Sequence, residues 1–293
     1  MRQRSDSLFA GFAWGATFLV LASIGALLAF LFVRGAGTLG PRLLFGDTAA
    51  WAALLRHAPV FDGLWPAVVG TLLLVCGSSL LAVPVGIAAG IHISEYAGPR
   101  VRRVAGLCID LLAGIPSIIM GLFGFGLILF LRQTLLPDAN TCLLLSIVCI
   151  ALLILPYMIR TTETALRSLP EDALLLGPSL GFSRWRAVRH IHLPLASRGI
   201  LSGMILSVGR AAEDTAVILM TGVVANAGTP QSLTDKFEGL PFTIYYLAAE
   251  HRTVGELDRA FGAALILLLV TGTIFGFAYW AHRGLEQRWS LRS

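Results

Sequence analysis

Arg210, Glu213 and Asp214 stand three and four residues apart inside Leu201–Thr221, a stretch that is otherwise apolar and reads LSGMILSVGRAAEDTAVILMT. On a helix, residues at those spacings share a face, so the guanidinium lies beside both carboxylates. A charged side chain at a bilayer centre costs about 3 kcal/mol on insertion scales, so three of them on one face are not expected to point at lipid. They are expected to face a water-filled cavity or a protein partner. Two readings of the trio are open at this point. It forms the wall of a route for a charged solute, or it is an ion-pair cluster that holds helices together.

The rest of the chain has the composition needed to place such a stretch in a membrane. Of 293 residues, 56% are hydrophobic and 13% charged, with a mean hydropathy of +0.78. A soluble domain carries about 25% charged residues. The expectation is an all-α polytopic membrane protein forming one domain over residues 1–293. Its six spans fall near 11–33, 64–93, 106–131, 141–159, 199–224 and 260–281, since about 20 apolar residues at helical rise cross the hydrocarbon core. The first run is too long for a cleaved signal peptide and is expected to be retained.

Six spans put both termini on one side. That side gathers Arg2, Arg4, Arg100, Arg102, Arg103, Arg160, Arg167, Arg184, Arg186, Arg189, Arg198, Arg283, Arg288 and Arg292. The other side holds half as many basic residues: Arg34, Arg42, Arg56, Arg132, Lys236, Arg252 and Arg259. The positive-inside rule therefore predicts cytoplasmic termini. The net charge of +5 reads as membrane orientation, and no nucleic-acid partner is expected. Pro84, Pro116 and Pro156 each remove a helical hydrogen bond and could kink their spans.

Several chemistries are excluded by residue type. Lys236, in TDKFEG, is the sole lysine, so the phosphate-cradling G-x-x-x-x-G-K-[ST] loop does not occur. Any ATP-driven step must use another chain. Cys76, Cys108, Cys142 and Cys149 lie in apolar runs without a CxxC and read as packing residues. The histidines make no metal-ligand pattern and HExxH does not occur, so no metal, cofactor or catalytic residue is expected.

The polar stretch 160–198 ends in GFSRWRAVRHIHLP. Ser183 is placed to cap a helix. Phe182, Trp185, Val188 and Ile191 recur every three residues between Arg184, Arg186 and Arg189, which suggests a short amphipathic helix. Such a helix lies on anionic lipid or docks into a groove of a partner. The segment resembles the coupling loop of ABC import permeases, whose pattern is E-A-A, three residues, Gly, nine residues, then Ile-x-Leu-Pro. Gly181 is followed by nine residues and Ile191-His192-Leu193-Pro194. The E-A-A positions instead hold Leu175-Leu176-Gly177. This register lacks the family's glutamate and one polar contact expected with an ATPase subunit. The resemblance implies that Gly181, Phe182, Trp185, Val188, Ile191, Leu193 and Pro194 form the ATPase-coupling element.

Four further stretches, VVGTLLLVCGSSLLAVPVGIAAGIHISEY from Val68, DLLAGIPSIIMGLFGFG from Asp110, GRAAEDTAVILMTG from Gly209 and LPFTIYYLAAE from Leu240, are similar to the second permease of phosphate-specific importers, in the same order. The resemblance covers roughly Gly63 to Trp280. That family's fifth-span motif is about Ala/Gly-Arg-x-x-Gly-Glu-Thr-Ala. Here Arg210, Thr215 and Ala216 match, Asp214 replaces Glu, and Glu213 replaces Gly. The resemblance implies the type I ABC importer permease fold in a bacterial inner membrane and a phosphate route through Arg210, Glu213, Asp214 and Thr215. It also implies a second homologous permease, a cytoplasmic ATPase dimer and an extracytoplasmic phosphate-binding protein, all beside membrane lipid. An arginine keeps its charge and offers a donor fork suited to phosphate oxygens, and a neighbouring carboxylate can hold it until an anion competes. Arg210 with both acids ionised nets one negative charge, so further positive charge is expected from the second permease or a proton on one acid. The two fifth-span departures keep another oxyanion (phosphonate, sulfate, molybdate) open as cargo, and an ion-coupled carrier working alone is the remaining alternative.

Overall fold

Inside a bilayer, backbone groups have no water to bond, so long apolar runs close their own hydrogen bonds as helices. The computed structural model of this chain describes the backbone of residues 2–55, 60 and 62–290, and the side chains of residues 9–53, 60 and 62–280. It begins with α1 (Arg2–Gly35), followed by the short α2 (Pro41–Phe45) and α3 (Ala50–Leu55). Next come α4 (Trp65–Ile91), α5 (Pro99–Ala113), α6 (Ser117–Thr134), α7 (Leu143–Arg167) and α8 (Glu171–Ser179). The chain ends with α9 (Arg184–Ala187), α10 (Leu193–Glu213), α11 (Ala216–Thr221), α12 (Leu240–Glu250) and α13 (Val254–Ser290). Among the described residues the β-type pairing is one isolated bridge between Val223 and Phe237. Of the basic residues used to orient the chain, Arg2, Arg4, Arg56, Arg283, Arg288 and Arg292 lie outside the described side chains.

Among the described residues, six segments are long and apolar enough to cross a membrane: Phe9–Thr38, Trp65–Tyr96, Ser117–Thr134, Leu143–Arg167, Arg184–Glu213 and Val254–Trp280. The all-α, six-span expectation therefore stands, but two spans are built differently from the sequence reading. The expected third span, 106–131, is broken at Gly114–Pro116. Its first part belongs to α5 and only α6 is a full apolar span. Proline disfavours a helical residue before it, and Pro116 itself is extended, with φ −59° and ψ 140°. The expected fifth span, 199–224, starts earlier, runs on from the coupling segment, and breaks at Asp214, where ψ is 113°. The stretch Leu201–Thr221 is thus two helices, α10 and α11.

Other boundaries move for simpler reasons. Helix α7 continues past 159 to Arg167, where Arg160 and Arg167 both pair with the buried Glu163 at helical spacing. Pro84 and Pro156 stay inside continuous helices, in contrast to Pro116. Within the expected loop 225–259, LPFTIYYLAAE forms α12, with Pro241 in its first turn, where a missing N–H costs nothing.

Helix α7 is the axis of the molecule. Cys149, Ile150 and Ile154 on it pack in one cluster with Leu74 and Val75 of α4, Val208 and Ala211 of α10, and Val217 and Ile218 of α11. Small residues bring the helices close. A Cβ on Gly86 would stand 2.6 Å from Met158 Cβ, and one on Gly203 would collide with Thr161 Oγ1. The first N–H groups of α7 are met from the loop after α11, Leu143 by Asp235 O at 2.9 Å and Leu144 by Leu233 O at 2.8 Å. In contrast, α1 is largely exposed and meets α13 at its end, through Phe30 edge-on to Phe261 and Arg34 to Asp258 at 3.0 Å.

Candidate translocation site and coupling segment

Two helix breaks meet at the site. One lies between α5 and α6 at Ile115–Pro116, the other between α10 and α11 at Asp214–Thr215. The restart of α11 leaves early N–H groups without intrahelical partners. Asp214 meets one of them: its Oδ1 accepts from Val217 N–H at 2.9 Å. Aspartate suits this place because its short side chain reaches back to the backbone. Helices α6 and α11 run against each other, with Gly121 close to Ala216 and Val217, so the two breaks are held side by side.

Arg210 spans them. Its Nη1 lies 3.2 Å from Glu213 Oε1, and its Nη2 lies 3.8 Å from Asp214 Oδ2. The helical spacing therefore brings the charged trio together as the sequence predicts. Nη2 also donates to Ser117 Oγ at 2.9 Å, on the first residue of α6. Ser117 was not foreseen, because nothing in the sequence couples positions on either side of three helices. The two acids differ sharply. Asp214 is 3% exposed at its side chain and serves as a cap, whereas Glu213 is 64% exposed and touches the arginine alone among the described contacts. Arg210 Nε is buried without a hydrogen-bond partner among the described residues. Thr215 is half-buried at the break and makes no side-chain capping bond. The arrangement holds a guanidinium in a fixed place with one firmly seated carboxylate and one that solvent can reach.

The coupling segment follows from a left-handed turn. Gly181 has φ +69°, a region that costs other residues about 1–2 kcal/mol. Phe182 N–H returns to Gly177 O at 2.9 Å and closes α8, and Gly177, at the last E-A-A position, packs against Ala187. Ser183 caps α9 by accepting from Arg186 N–H, as expected. The helix does not stop there. It passes through a wide π-type turn, Val188–His192, into α10.

The apolar stripe is not a single outer face. Phe182 precedes the helix and is half-buried, as are Ile191, Leu193 and Pro194. Trp185 is 54% exposed and Val188 is 0% exposed, packed beside Ile91, Met158, Leu166 and Ile200. Every three-residue step on a helix falls about 60° short of a full turn, so the stripe winds from the outer surface into the core. Arg184 and Arg186 cover rings of Tyr96 and Phe182.

Asp110, without a role in the sequence reading, pairs with Arg160. Arg160 Nε donates to Asp110 Oδ1 at 2.9 Å and Nη2 lies 2.6 Å from Oδ2, while Nη1 reaches Glu163 Oε2 at 2.8 Å. This fork ties α5 to α7.

Residues 82–291 match the family described as binding-protein-dependent transport system inner membrane component. Phosphate transport system permease protein PstA 1 of Mycobacterium tuberculosis is 32% identical over 212 residues, covering 72% of this chain and 68% of its own length. PstA of Haemophilus influenzae is 32% identical over 209 residues, covering 71% of this chain and 72% of its own. A probable phosphate transport system permease PstA of Methanocaldococcus jannaschii is 26% identical, covering 73% of both. Among solved structures, a chain of a bacterial alginate ABC transporter superposes with a TM-score of 0.64 at 15% identity, covering 97% of this chain and 96% of its own. A likeness at that identity speaks for the fold, which is that of type I ABC importer permeases.

Proposed function

Because the chain belongs to the family of binding-protein-dependent transport system inner membrane components, we propose that it is one permease of an ATP-driven importer and that its cargo is inorganic phosphate. The multi-pass permease role follows from the family. The cargo is supported by the names of relatives at 32% identity over about 70% of the chain. The observation that carries the route is Arg210, held at two helix breaks by Ser117, Glu213 and Asp214. Interrupted membrane helices are a common way to aim fixed donors at a solute near mid-membrane.

In this reading a phosphate entering the route competes with Glu213 for Arg210. Glu213 is the exchangeable partner because it is exposed, while Asp214 is engaged with the α11 backbone. The anion is then held by contacts weak enough to release it. Asp214, where the family has Glu, keeps a carboxylate at that place and caps α11, and the added Glu213 supplies the competitor. Thr215 lines the break beside them.

ATP is hydrolysed by a cytoplasmic ATPase dimer that presses on the surface around Trp185, with Gly181 setting the turn and Val188 seating the segment in the permease core. The termini are cytoplasmic by the arginine distribution. A second homologous permease completes the route, and an extracytoplasmic binding protein delivers the anion. The test is uptake of radiolabelled phosphate in cells lacking their own permease, with sulfate, molybdate and a phosphonate as competitors. ATP-dependent uptake that the competitors leave unchanged supports the reading. Competition by one of them moves the cargo to that oxyanion, and uptake that ignores ATP depletion but stops with an uncoupler points to an ion-coupled carrier.

A further inference from the structure

His192 and Glu95 join two segments that the chain keeps 97 residues apart, with His192 Nδ1 3.2 Å from Glu95 Oε1. Their side chains are 7% and 12% exposed. Each residue sits in a π-type turn. His92–Tyr96 closes the end of α4, and Val188–His192 joins α9 to α10. Such turns insert one residue into a helix and are frequent at functional places. His192 Nε2 is buried without a hydrogen-bond partner among the described residues, so the ring's one polar attachment is to α4.

The charged groups around the pair are engaged elsewhere. Arg102 donates to Ile93 O at 3.1 Å and Ser94 O at 2.9 Å. Arg167 lies 3.3 Å from Glu163 Oε1, and Arg184 covers the Tyr96 ring. These three arginines line the same cavity as Glu95 and His192, with a volume of about 830 Å³.

Both helices that leave this joint lead to the route. Helix α10 carries Arg210. Helix α4, at its far end, accepts Leu240 N–H on Thr71 Oγ1 at 2.8 Å, and Gly70 lies against Phe237 and Glu238. Phe237 in turn bridges Val223, just after α11. We propose that Glu95 and His192 are a positioning pair that makes α4 move with the coupling segment, so that one displacement at Trp185 reaches Arg210 along α10 and the Phe237 loop along α4. This rests on the reading that an ATPase displaces that segment.

The test uses the assembled transporter, with the exposed Cys76 and Cys108 changed to serine and spin labels introduced in pairs. One pair is Arg189→Cys with Leu80→Cys on α4, and the other is Arg189→Cys with Phe130→Cys on α6. In the otherwise unchanged chain, ATP binding is expected to alter the 189–130 distance and leave the 189–80 distance fixed. His192→Leu is expected to make the 189–80 distance respond to ATP and to lower phosphate taken up per ATP hydrolysed about tenfold, the scale of one charge-assisted hydrogen bond. His192→Asn, whose amide nitrogen can occupy the Nδ1 position, is expected to restore both. The proposal is overturned if His192→Leu leaves the 189–80 distance fixed, or if His192→Asn behaves like His192→Leu in an assembled complex. A 189–130 distance that ignores ATP in the unchanged chain overturns the coupling reading and this proposal with it. A complex that responds to ATP without accumulating phosphate removes the cargo alone, and the distances still decide the pair.

Discussion

Arg210 on α10 donates through Nη2 to Ser117 Oγ on α6 at 2.9 Å, across 93 residues of chain. The contact joins a proline break to an aspartate break. Arg210→Gln removes the charge and shortens the side chain so that the Nη contacts are lost, and is expected to lower phosphate uptake by about 30- to 100-fold, since hydrogen bonds to charged groups contribute about 1.5–3 kcal/mol. Ser117→Ala removes one neutral acceptor and is expected to cost about 3- to 10-fold. Initial uptake rates normalised to membrane-inserted protein check both. Equal losses in the two variants would show that the Arg210 charge adds nothing beyond its bond to Ser117.

The two acids are expected to fail in different ways. Asp214→Ala deletes the bond to Val217 N–H and is expected to cost about 1 kcal/mol of stability, the usual worth of a helix cap, seen as a lower thermal midpoint in detergent. Glu213→Gln leaves that midpoint unchanged, because exposed pairs contribute little. It is expected to lower both the KM for phosphate and the maximal uptake rate, since Arg210 loses its exchangeable partner. Transport kinetics and thermal melts on the same preparations separate the two.

Trp185 and Val188 lie three residues apart but on different sides of the surface. Trp185→Asp is expected to leave the permease inserted and stable and to reduce co-purification of the ATPase by at least tenfold, as removal of a central aromatic anchor does. Val188→Asp places a carboxylate among Ile91, Met158 and Leu166 and is expected to lower the amount of folded permease itself. Quantifying permease and ATPase in one pull-down reads both outcomes.

The loop after α11 contains two carboxyls with opposite responses to pH. Burial pushes the Glu238 carboxyl above its ordinary range, against N–H bonds from Gly228 and Ala227 that pull it down. Its stabilising share is present below the unfolded-state value and is lost as pH rises through the higher folded value. Glu238→Gln is therefore expected to raise the thermal midpoint at about pH 8 and to leave it unchanged near pH 4. The Ser232 hydroxyl and the N–H groups of Ser232 and Gln231 hold the Asp235 carboxyl below its ordinary range. Its share is present above the unfolded value and lost as pH falls through the lower folded one. Asp235→Asn is expected to destabilise at neutral pH, with the difference from the unchanged chain vanishing in acid.

Local rules made much of this protein legible from its residues. Hydrophobic run length determined six membrane helices, because backbone groups in lipid must close their own bonds. Helical spacing determined that Arg210 meets Glu213 and Asp214, because neighbours at three and four residues share a face. Gly181 marked a left-handed turn and Ser183 a cap, each a property of one residue and its immediate chain. Only the tertiary structure decided the rest. The Ser117–Arg210, Asp110–Arg160 and Glu95–His192 contacts join positions 93, 50 and 97 residues apart, and no periodicity within one helix reports its partner on another. The break at Asp214 was hidden because apolar composition continues across it, and the choice between a continued and a restarted helix depends on α6 packing beside α11. The inward turn of Val188 was hidden for a similar reason: a three-residue stripe winds around its helix, and which part becomes core is set by where α4 and α7 stand.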